Sequence, residues 1–135
     1  MIDAMGNATR LGSQQLVAFL PTRNPGQARK FFEETLGLPL LADQLPWALV
    51  FDAHGTTLKV VNAPPYDPLP FTVLGWDVDD VEATVKELRE AGVEFVRYPN
   101  MEQDELGIWT SPAGAQVAWF KDPDGNTLSI SQHEL

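Results

Sequence analysis

Apolar positions along this chain recur with two spacings, every second residue and every third or fourth, which mark strands and helices respectively. Residues 15–20 form a short apolar run ended by Pro21, predicting a first strand. Asn24 directly before Pro25 is a helix start, since asparagine can cap the free amides and proline suits the first helical position. Ala28, Phe31, Phe32 and Leu36 then recur at helical spacing, and Gly37 predicts the stop. Three further strands are predicted at 39–42, 47–51 and 57–61.

The order then restarts. Residues 62–70 hold Pro64, Pro65, Pro68 and Pro70, a density that favours an extended linker over regular structure. A strand is predicted at 71–78. Asp79 and Asp80 offer caps for a helix whose buried stripe is Val81, Val85, Leu88 and Ala91, ended by Gly92. Strands at 94–98, 116–120 and 127–131 complete the series. Between them, 101–114 reads as a long irregular connection, a ligand lid or a solvent-facing insertion, with a short extended piece at 107–110.

Two turns support the doubling. Asp122-Pro123-Asp124-Gly125-Asn126-Thr127-Leu128 is echoed 70 residues earlier by Asp52-Ala53-His54-Gly55-Thr56-Thr57-Leu58, which keeps the Asp, the Gly, the second Thr and the Leu. Each follows an apolar run and reads as a hairpin turn. The expectation is therefore two copies of one module, 15–63 and 71–132, joined by the 62–70 linker and preceded by a loose leader over 1–14.

Composition narrows the function. A formal net charge of −10 with no basic patch disfavours nucleic acid and anionic membrane surfaces as partners. The absence of cysteine rules out disulfides, thiolate catalysis and Cys-ligated zinc, and makes a cytoplasmic location the simplest expectation. No run of about 18 apolar residues predicts a membrane span.

The ordered set of Val17-Ala18-Phe19-Leu20-Pro21-Thr22-Arg23-Asn24, Ala28-Arg29-Lys30-Phe31-Phe32, Leu36-Gly37-Leu38, Val78-Asp79-Asp80-Val81, Gly92-Val93-Glu94-Phe95 and Phe120-Lys121-Asp122-Pro123-Asp124-Gly125-Asn126 resembles the vicinal oxygen chelate superfamily. That superfamily includes glyoxalase I, extradiol dioxygenases, fosfomycin-resistance proteins and bleomycin-binding proteins. The resemblance spans about residues 15–132 and implies an α+β fold of two βαβββ modules, forming a curved mixed sheet around a cup. It also implies a homodimer, consistent with sheet edges that must be covered.

In metal-dependent members the ligands come from the first and last strands of each module. Those positions fall here on Val17, Lys59, Val73 and Ser129, none an imidazole or carboxylate, so no metal and no cofactor are expected. His54 and His133 have no spacing that pairs them. Asp122, Asp124 and Asn126 suggest a calcium loop only superficially, because strands flank them, and capping of turn amides is the expected role.

Strand parity predicts the cup lining. Val17 and Phe19 share a face, as do Thr57, Lys59 and Val61, then Val73, Gly75 and Asp77, then Thr127, Ser129 and Ser131. Leu74, Trp76, Val78, Leu128 and Ile130 are predicted to face the helices. Lys59 is the sharpest candidate, since an ammonium in an apolar cup needs an anionic ligand group or a partner such as Asp77. Trp109 is the favoured aromatic contact, with Trp47 and Trp119 also considered and Tyr66 and Tyr98 weaker.

Three functions stay open. The first is metal-independent binding of a small organic molecule, as in bleomycin-resistance proteins. The second is a lyase, isomerase or dioxygenase-like enzyme, or proton transfer through Lys59 and Asp77. The third is a non-catalytic structural or interaction module.

Overall fold

A computed structural model describes residues 9–133. The loose leader expected over 1–14 lies mostly outside the described residues; within it, Arg10–Ser13 forms one 3-10 turn. The first module runs β1 (Val17–Thr22), α1 (Pro25–Arg29), β2 (Leu40–Gln44), β3 (Ala48–Ala53) and β4 (Thr56–Asn62). The second runs β5 (Thr72–Asp77), α2 (Val81–Glu90), β6 (Trp109–Thr110), β7 (Gln116–Lys121) and β8 (Thr127–Gln132). Each module is a four-stranded sheet, ordered β1-β4-β3-β2 and β5-β8-β7-β6. In each, the first strand lies parallel to the last and the other pairs are antiparallel.

The capping signals act as expected. The Asn24 side chain accepts from Gln27 N, and the Asp80 side chain accepts from Ala83 N at 3.0 Å. Beyond Arg29 the first helix widens into π-helical turns over Lys30–Thr35, with Leu36 N donating to Phe31 O. Phe31 and Phe32 serve different modules. The Phe32 ring lies 5.8 Å from Phe51, and the Phe31 ring 6.5 Å from Phe120.

Those contacts belong to one apolar core on the helix side of both sheets. Leu20, Leu58, Val60 and Phe51 from the first module and Val81, Val85, Phe120, Leu128 and Ile130 from the second are buried within it. The predicted helix-facing residues Leu74, Trp76 and Val78 pack against this core, with the Trp76 ring stacked on Phe120.

Polar contacts also tie the modules. Thr22 Oγ1 donates to Asp124 Oδ2 at 2.6 Å and Arg23 N to Asp124 Oδ1 at 2.8 Å. Asn126 Nδ2 donates to Pro21 O, and the Tyr66 hydroxyl from the linker lies 3.0 Å from the same carbonyl. Asp122 does cap its turn, accepting from Asp124 N and Asn126 N, but the Asp124 side chain reaches across to β1.

The strand expected at 94–98 is the main correction. Only Phe95 bridges to Phe120, with Val96 N donating to Trp119 O. One edge of β7 is divided between this segment at its C-terminal half and β6 at its N-terminal half, so neither extends. No helix among the described residues is long and apolar enough to cross a membrane.

Candidate ligand-binding faces

The faces turned away from the helices hold most of the predicted site. In the first sheet, register places Phe19, Lys59 and Val50 in one row and Val17, Thr57 and Asp52 in the next. Phe19 is 63% exposed and Val17 38%, whereas Lys59 and Thr57 are half-buried. Among the described residues Lys59 makes no ion pair. The suggested Lys59–Asp77 pair does not form; Asp77 Oδ1 lies 3.6 Å from His133 Nδ1 instead.

In the second sheet Gly75, Ser129 and Trp119 share one row, and Asp77, Ser131, Val117 and Trp109 the next. Trp109 and Trp119 therefore lie on the same face, opposite to that of Ala118 and Phe120, the buried neighbours of Trp119 in β7. Their rings sit 6.2 Å apart at 40°, and the Tyr98 ring meets Trp119 edge-on at 5.5 Å. The result is a half-exposed aromatic shelf beside the hydroxyls of Ser129 and Ser131. Ser129 Oγ fills the space over Gly75, where a Cβ would lie 2.7 Å away.

Regular pairing breaks beside one predicted residue. The β5–β8 register shifts between Thr72 and Leu74, leaving Val73 without a Cα partner. A bulge of this kind re-aims neighbouring side chains, and Thr72 Oγ1 accepts a hydrogen bond from Trp119 Nε1 at 3.1 Å. Thr72 is thus a shelf residue that strict alternation misses. Trp47, at the β2–β3 turn, is 76% exposed and belongs to neither row.

The predicted residues are divided between the two sheets. Lys59, Phe19, Val17 and Thr57 belong to one sheet, and Trp109, Asp77, Ser129 and Val73 to the other. Val17, Lys59, Val73 and Ser129 supply no strong metal ligand. Among the described residues there is no group of three or more His, Asp or Glu side chains able to hold a metal.

Residues 14–130 match the family model described as Glyoxalase/Bleomycin resistance protein/Dioxygenase superfamily. The chain belongs to that superfamily. Comparison with curated proteins found no match. Among solved structures, this superfamily member is similar to TnmS3, an antibiotic binding protein from Streptomyces sp. CB03234, at 28% identity and TM-score 0.66 over 90% of this chain and 96% of that one. A glyoxalase/bleomycin resistance protein from the same organism is 28% identical with TM-score 0.62, covering 88% and 100% of the two chains. A lactoylglutathione lyase from Agrobacterium tumefaciens shares the fold at 16% identity and TM-score 0.65, over 89% and 93%.

Proposed function

We propose that this protein binds a small, partly aromatic organic molecule without a metal ion, in the manner of a sequestering bleomycin-resistance-like protein, and does so as a homodimer. The observation that carries the reading is the half-buried Trp109–Trp119–Tyr98 shelf, flanked by hydroxyls, in a superfamily member whose customary ligand positions hold Val17, Lys59, Val73 and Ser129. Flat rings with a few polar groups suit a planar ligand. The likeness to an antibiotic binding protein supports the same class.

Lys59 supplies the electrostatic preference. A half-buried ammonium with no ion-pair partner among the described residues favours a ligand bearing a negative group. The protein's overall charge of −10 does not oppose this at close range, because salt screens it beyond roughly 8–10 Å. Pairing also gives the exposed Phe19, Val17 and Phe71 a partner surface, and allows the Lys59 face of one protomer to meet the Trp109 face of another.

A thermal-shift screen of anionic, neutral and cationic aromatic antibiotics and metabolites tests the reading. A ligand at one hundred times its Kd adds about 2.7 kcal/mol of stability. Selective stabilisation by anions, lost in Lys59→Met, is the expected result. Stabilisation by cations alone would reverse the proposed polarity, and no binding by any aromatic compound would overturn the function.

A further inference from the structure

Residues 103–109 form a small hairpin, although the connection carrying them is irregular overall. Gln103 and Trp109 are bridged antiparallel, and Asp104 N donates to Ile108 O. Gly107, at φ 87°, closes the turn by donating to Asp104 O at 3.0 Å. Asp104 Oδ1 accepts from both Leu106 N and Ile108 N at 2.9 Å. Ile108 is buried in the core, so the hairpin is anchored through its returning strand, next to Trp109.

What joins this hairpin to the rest of the shelf is one side-chain amide. Gln103 Oε1 accepts from Tyr98 N at 2.8 Å, while Nε2 donates to Val96 O at 2.8 Å and Gly107 O at 2.9 Å. The amide acts as an extra rung between two backbone segments that would otherwise lack partners for these groups. One segment carries Tyr98 and the other Trp109, and both rings lean on Trp119. Arg97 reinforces the junction by donating to Gln103 O and Glu105 O.

We infer that Gln103 is the positioning residue of the aromatic shelf, setting Tyr98 and Trp109 against Trp119 so that the three rings offer one preformed surface to a planar ligand. Its binding consequence rests on the function proposed above; its effect on the rings does not. Preforming the surface matters because ordering mobile side chains during association weakens binding. Gln103 touches no ligand in this scheme and acts through the backbone.

Gln103→Leu removes all three hydrogen bonds at similar size, and Gln103→Glu keeps the acceptor for Tyr98 N while losing both donors. In Gln103→Leu, the Tyr98 amide should exchange its hydrogen faster and the near-ultraviolet circular dichroism of the Trp109–Trp119 pair should weaken. In Gln103→Glu, Tyr98 should stay protected while the dichroism still weakens. Affinity for an aromatic antibiotic bound by the wild type should fall about tenfold in either variant, measured where the variant is fully folded. A lower melting temperature with unchanged dichroism and unchanged affinity would overturn the inference. If no aromatic antibiotic binds the wild type, the proposed function fails, while amide exchange and dichroism still decide whether Gln103 sets the rings. Should Gln103→Leu not fold, Gln103→Glu carries the same decision.

Discussion

The Thr22 hydroxyl donates to the Asp124 carboxylate at 2.6 Å, joining positions 102 residues apart in the chain. Both side chains are buried, and Arg23 adds its backbone amide to one carboxylate oxygen and its Nη2 to the Asp124 carbonyl at 2.7 Å. A short charge-assisted bond inside the fold is worth more than a surface pair. Asp124→Ala should therefore destabilise the protein by about 2–3 kcal/mol and Thr22→Val by about 1–2 kcal/mol. Urea unfolding of the single and double variants measures this. The double variant should lose less than the sum, and strict additivity would show that the contact carries no coupling.

Asp122 supplies a pH dependence of defined sign. Burial raises its pKa above the usual aspartate value, outweighing the hydrogen bonds from Asn126 that lower it. The folded state then holds the proton more tightly than the unfolded chain. This group's contribution to stability is complete below the unfolded pKa and is lost as pH rises through the folded one. Carboxyl-carbon NMR titration should place the Asp122 midpoint above that of the exposed aspartates; a midpoint at or below theirs would refute the assignment.

Gly75 and Ser129 form a packing pair that a double variant can expose. Gly75→Ala would put a Cβ 2.7 Å from Ser129 Oγ, and the next nearest atom is Ser129 O at 3.4 Å, an ordinary contact. The substitution should cost about 1–3 kcal/mol. Adding Ser129→Ala removes the clashing oxygen and should restore most of that loss in thermal unfolding. Failure of the second change to rescue the first would locate the strain elsewhere.

Phe19 tests the proposed homodimer. It is 63% exposed on an open sheet face, close to Val17 in the same strand. Light scattering should give a two-chain mass for the wild type and a one-chain mass for Phe19→Asp, with far-ultraviolet circular dichroism unchanged. A one-chain mass for the wild type would remove the proposed pairing.

Much of this architecture is legible locally. Asn24, Pro25 and Gly37 delimit the first helix and Asp80 and Gly92 the second, because a cap is satisfied by amides or a turn only a few residues away. The turns at Asp52 and Asp122 close hairpins for the same reason. Period-two alternation placed Phe19, Lys59 and Ser129 on the helix-distal faces, since adjacent side chains in a strand must point oppositely. Alternation could not anticipate the bulge at Thr72–Leu74, which makes Thr72 the partner of Trp119, or the division of one β7 edge that reduces 94–98 to a single bridge. Nor does anything near Asp77 or Asp124 in the chain announce His133 or Thr22 as their partners. The elements and their buried faces follow from short-range sterics and hydrophobic period, which the sequence carries by itself. The choice of polar partners was decided only when folding brought distant segments within about 3 Å, because a hydrogen bond depends on distance and direction in space.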